Sequence, residues 1–207
     1  SVMKYSLLFA SVIIISSCGG SENTTQSGST APASTATPAA KGVEGYPPGS
    51  EILDYSDSPG LSKATIKVAG NVQQEGDYFN NQRTGSWTEY HGNGVIQTVT
   101  TYVNGKKQGI ALELDNRGNL ISKSYYHNDN FDGECLKYNR GKIVGRETYQ
   151  NGIKSGMTSK YYNDGKIQEE SPYVNGQIHG IAKWYDQQGN VTLQYEYDNG
   201  EFVKKIE

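Results

Sequence analysis

The sequence predicts an all-β protein: an elongated antiparallel meander of β-hairpins, about six 24-residue units long, after a disordered N-terminal tether. Three observations carry this. A tyrosine recurs at Tyr78, Tyr102, Tyr126, Tyr149, Tyr173 and Tyr197, with gaps of 24, 24, 23, 24 and 24 residues. A fixed period of this length marks a repeat architecture. Each unit also holds two turn signals. One is Asn-Gly or a relative of it after the tyrosine, and the other lies near Gly70, Gly94, Gly118, Gly141, Gly165 and Gly189. Such pairs supply the positive φ that tight hairpins demand. Between the turns, side chains alternate with period two. Ile96, Thr98, Thr100 and Tyr102 share one strand face, as do Val191, Leu193, Tyr195 and Tyr197. Alternation of this kind is a strand pattern, and no stretch shows helical spacing.

The chain opens with a different signal. After Met3, Lys4 supplies a positive start and Leu7 to Ile15 a short apolar run. The run is too short to span a bilayer as a helix and is expected to be a signal peptide over residues 1–17. Residues 18–60 are rich in Ser, Thr, Ala, Pro and Gly. Such a segment buries too little to offset its ordering entropy, so a tether is expected. Its r.m.s. reach would be roughly 35 Å.

The repeat domain is expected over 61–207. Cutting at the second glycine of the phrase Tyr102-Val103-Asn104-Gly105-Lys106-Lys107-Gln108-Gly109 gives units 61–84, 85–108, 109–132, 133–155, 156–179 and 180–203. The first unit departs from the rest, with Ile66 where Tyr90 stands in the next and Leu61 in place of the glycine. End units of a solenoid are often atypical in this way.

Composition narrows the function. The chain has 16 Tyr against four Phe and two Trp, which suits a half-exposed sheet better than a thick core. From Leu61 onward there are 17 basic and 17 acidic residues, so a nucleic-acid partner, which needs a basic footprint, is not expected. The cysteines, Cys18 and Cys135, lie in different contexts and offer neither a disulfide framework nor a zinc cluster. No cofactor or metal is expected. Asn128 to Gly133 has the look of a calcium loop but lacks its closing Glu, since Asn139 stands at the twelfth position.

Two resemblances sharpen these expectations. Ile15-Ser16-Ser17-Cys18 resembles the lipobox of bacterial lipoproteins, which implies diacylation of Cys18 and a membrane anchor; Gly19 after it favours the outer membrane. Gly85-Ser86-Trp87-Thr88-Glu89-Tyr90, Tyr90-His91-Gly92-Asn93-Gly94 and Tyr102-Val103-Asn104-Gly105 resemble the bacterial variant of the MORN repeat, and the likeness runs through 61–203. That family implies a hairpin sheet with a scaffolding or binding role and no catalytic residues; bacterial members are often labelled YwqK-type antitoxins. The chain departs from the pattern at Ala111 and Leu114, which replace the Trp and Tyr. It also departs at Asn128-Asp129 in place of Asn-Gly, and by one residue missing between Tyr138 and Gly141.

The expected function is therefore that of a lipid-anchored cell-envelope protein, on the periplasmic or surface side, which binds a protein or polysaccharide partner without catalysis. The alternatives are an antitoxin or immunity protein that neutralises a toxin by binding, and, further off, a glycan-acting envelope enzyme. The candidate binding surface is aromatic: Trp87, Tyr90, Tyr138, Tyr161, Trp184 and Tyr185. The two Trp are expected roughly 40 Å apart along the ribbon at about 4.8 Å per strand.

Overall fold

The computed structural model describes residues 46–206. The expected signal peptide, Cys18 and most of the expected tether fall in residues 1–45, outside the described residues. Within them the chain forms one sheet of 17 strand segments. Every recorded pairing is antiparallel and joins consecutive segments or, in three places, segments separated by a two-residue piece of the same broken strand, so the sheet is an open meander of hairpins.

The turns follow from the dipeptides. Asn104-Gly105, Asn151-Gly152, Asn175-Gly176 and Asn199-Gly200 all have both residues at positive φ, the geometry of a two-residue hairpin loop matched to strand twist. Asn128-Asp129 does the same at φ 48° and 68°, so the missing glycine there leaves the hairpin intact. Of the alternate turns, Ala69-Gly70 is again a two-residue loop, while those at Gly94, Gly118, Gly165 and Gly189 are longer. In two of them an aspartate closes the loop: Asp115 Oδ1 accepts the backbone N–H groups of Arg117 and Asn119, and Asp186 Oδ1 those of Gln188 and Asn190. The residue missing after Tyr138 is absorbed at such a position. A two-residue Arg140-Gly141 turn replaces the longer loop, and the strand extends to Asn139.

The second glycine of the phrase is a bulge, not a turn. Thr100 faces Ala111 while Tyr102 faces Lys107, so two residues of one strand oppose four of the next. Gly109, at φ 87°, takes up the excess. Gly85, Gly133, Gly156 and Gly180 repeat the positive φ one period apart.

The expected boundary of the tether at residue 60 needs correction. Ser50–Asp54 forms a strand paired with Leu61–Val68, with Ile52 opposite Ala64. Pro47 turns the chain into it, its carbonyl accepting from the Ser50 N–H and hydroxyl. Tyr46 then lays its ring 4.6 Å from that of Tyr78 and shares a hydrogen bond with Ser62. Adding an antiparallel neighbour satisfies the outer N–H and C=O groups of the 61–68 strand, which outweighs the segment's polar composition.

Residues paired across strands share a face. The register therefore places all six repeat tyrosines on one face, with Trp87, Cys135, Ser171 and Ala182. Most of the buried residues lie there: Ala64, Tyr78, Trp87, Cys135, Tyr149, Tyr173 and Ala182. Among the described residues no helix is long and apolar enough to cross a membrane.

Candidate binding surface

The tyrosine face is built as a ladder. Five residues after each tyrosine comes a second periodic position: Arg83, Lys107, Phe131, Lys154, Ile178 and Phe202. Each is paired in register with its own tyrosine. Four of them also reach the next tyrosine. The Arg83 guanidinium lies 5.5 Å from the Tyr102 ring, Lys107 Nζ 5.0 Å from Tyr126, and Lys154 Nζ 5.0 Å from Tyr173. The Phe131 ring lies 5.3 Å from that of Tyr149. The result is a column in which tyrosines alternate with cations or apolar groups. This second row was missed in the sequence reading, although its period of 24 was there to be counted.

Beside the ladder runs a row of mostly small residues interrupted by a few larger ones: Ala64, Gly76, Trp87, Thr100, Ala111, Ser124, Cys135, Glu147, Thr158, Ser171, Ala182 and Tyr195, joined by the register and by the Gly76–Trp87 contact. Both aromatics in it face a small residue. Trp87 packs over Gly76, where an added Cβ would come within 2.5 Å of the indole. Tyr195 similarly lies opposite Ala182, which is fully buried.

The six expected surface aromatics do not form one surface. Trp87 is only 2% exposed. Its ring stands edge-on to Tyr78 at 5.1 Å, lies beneath the Arg83 guanidinium at 4.2 Å, and donates its N–H to the Asp77 carbonyl at 3.0 Å. It is a core residue, correcting the expectation that it anchors a partner. Trp184, half-buried on the same face, meets Tyr195 edge-on at 5.5 Å. Tyr90 and Tyr185 are on the opposite face, each donating its hydroxyl to a carboxylate, Glu75 and Glu170 respectively. Alternation puts Tyr138 on that face with Leu136, and Tyr161 with Ser159.

The Tyr90–Glu75 bond shifts both groups. Accepting it, and an ion pair from Lys63 at 2.9 Å, holds Glu75 below the usual carboxylate range. The same bond, with burial second, pushes Tyr90 up to about 12. A raised phenol stabilises the fold below its ordinary pKa near 10, and that contribution is lost as pH rises towards about 12. A depressed carboxylate works the other way: its contribution is present above its ordinary pKa and fades as pH falls through the lowered one. We expect Tyr90 to be among the last tyrosines to ionise in an absorbance titration, and Glu75→Gln to bring it back towards 10. An unchanged late-ionising fraction in that variant would remove Glu75 as the cause.

This geometry defines a single-layer β-hairpin repeat protein. Three of its hairpins, residues 83–104, 154–175 and 178–199, match the MORN repeat variant family. Each matched stretch starts at or beside a ladder position (Arg83, Lys154, Ile178) and ends at or just past the asparagine of an Asn-Gly turn. Repeats of this family are generally non-catalytic binding units. A search among curated proteins finds no match to the chain. No group of three or more His, Cys, Asp and Glu side chains suited to a metal ion occurs among the described residues.

Proposed function

We propose that this chain is a lipid-anchored protein of the cell envelope whose repeat sheet binds an extended protein or polymer partner without catalysis. The observation that supports binding most is the tyrosine face, which repeats with the sequence instead of converging on one point and keeps Tyr102, Tyr126 and Tyr197 half-exposed while Tyr78, Tyr149 and Tyr173 hold it together. A surface of that form suits a partner that is itself extended. Anchoring rests on Ile15-Ser16-Ser17-Cys18, with the diacylated Cys18 as the membrane attachment and Gly19 favouring the outer membrane.

The test is one substitution. Cys18→Ala should abolish incorporation of labelled palmitate and move the protein from the detergent phase to the aqueous phase. If the variant stays with salt-washed membranes, the anchor is wrong. Cross-linking of the full chain in intact envelopes should then capture a partner through the sheet. Turnover of a small molecule by the purified protein would overturn the non-catalytic reading.

A further inference from the structure

One stretch of the tyrosine face lacks the filling found on either side of it. At the phase of Trp87 the next unit carries Ala111, and the residues paired with it are Thr100 and Ser124. Three small side chains in succession leave this part of the face without bulk; the other such run, Thr158, Ser171 and Ala182, is covered, with Ser171 and Ala182 buried, whereas Thr100 and Ala111 are only half-buried. A cavity of about 240 Å³ opens there, walled by Tyr102, Tyr126 and Lys107 and floored by Thr100, Ala111 and Ser124. Elsewhere the row is closed. Cys135 lies in a cluster with Phe131 and Tyr149, and Ala182 sits opposite Tyr195. The tyrosines on either side of the slot, Tyr102 and Tyr126, are only half-buried, as is Tyr197 beside the last strand, whereas Tyr78, Tyr149 and Tyr173 are buried.

The preceding unit shows what such a slot accepts. There an indole stands edge-on between Tyr78 and Tyr102, at 5.1 and 6.5 Å, with a guanidinium over it. In the open slot the corresponding groups are Tyr102, Tyr126 and the Lys107 ammonium. The carbonyl that binds the Trp87 N–H belongs to Asp77, and one period later stands Thr101. The far end of the cavity adds charge, because Glu89 and Glu113 both line it. They flank Thr98 in register and accept the hydroxyls of Thr98 and Ser122. Neither has an ion pair among the described residues.

We propose that the slot over Ala111 receives an aromatic side chain of a partner protein, with a positive charge beside it meeting Glu89 and Glu113. This rests on the non-catalytic binding reading and gives that reading one anchor point. Edge-to-face packing between two tyrosines favours a planar ring, and the paired carboxylates favour a cation over an anion.

Fluorinated tryptamine, an indole carrying an ammonium, is the probe. Its fluorine resonance should broaden with the full chain in detergent, and the anionic indole-propionate should bind several-fold more weakly. Glu113→Gln should narrow that gap. Ala111→Trp fills the slot from within and should weaken tryptamine by about tenfold or more. Ala111→Leu serves if the larger variant fails to fold. Absence of broadening, broadening unchanged in a folded Ala111 variant, or displacement by methyl glucoside would each overturn the proposal. The two readings separate cleanly. An envelope partner cross-linked equally by wild type and Ala111→Trp leaves the binding function standing and removes the slot. Slot-dependent tryptamine binding with no partner captured supports the slot and counts against the envelope function.

Discussion

Trp87→Ala is expected to cost about 3–5 kcal/mol of stability, the range for removing a buried tryptophan. The sheet is one layer thick, so no second layer can close over the gap. The loss includes the edge contacts to Tyr78 and Tyr102, the Arg83 stacking and the hydrogen bond to the Asp77 carbonyl. Hydrogen exchange in rising urea at the amides of residues 71–79, 82–90 and 96–103 measures it at the hairpins concerned. A shift below about 1 kcal/mol would mean the indole is replaceable and the core assignment wrong. Gly76→Ala approaches the same contact from the opposite side, because its Cβ would press on the ring from 2.5 Å. That glycine is required by close approach alone.

A comparable loss is expected at the Lys154–Glu147 pair. Lys154 Nζ lies 2.8 Å from Glu147 Oε1, with side chains 12% and 6% exposed. Tyr149 donates its hydroxyl to the other carboxylate oxygen at 3.0 Å. Lys154→Met leaves a buried carboxylate without its cation, and breaking one side of a buried pair costs about 3–5 kcal/mol. Lys154→Met combined with Glu147→Leu should recover most of the loss, since an apolar replacement removes the stranded charge as well. Chemical denaturation of the single and double variants closes the cycle. A double variant as unstable as the worse single would show that packing against Tyr149 and Tyr173, not charge, is what Lys154 supplies.

The repeat, its hairpins and the shared face of the six tyrosines were legible in the sequence because each depends only on period and alternation. The strand at Ser50–Asp54 was not: its residues Ser50, Glu51 and Asp54 read as tether, and only the neighbouring strand gives them partners. The second glycine was visible as a recurrence but not as a bulge, since a turn glycine and a bulge glycine look alike until the register is known. The burial of Trp87 depended on Gly76, eleven residues upstream, lying across the hairpin from it. Exposure cannot be judged from one member of such a pair. Trp184 and Tyr185 were another matter. Neighbours on one strand face opposite ways, so the grouping of Tyr185 and Tyr90 with the tryptophans could have been rejected from alternation alone.

The strictly sequential pairing of the strands has a consequence for how this protein tolerates damage. Among the described residues the extensive contacts all join strands that lie side by side in the sheet, so the molecule lacks the long-range packing that makes a globule one cooperative lock. A lesion at the Ala111 slot would loosen its flanking hairpins and be little felt at Tyr197. Opening can proceed strand by strand from either border of the sheet, as a zip does. In such a body stability is a local property with a gradient along the chain, and each repeat carries its own margin.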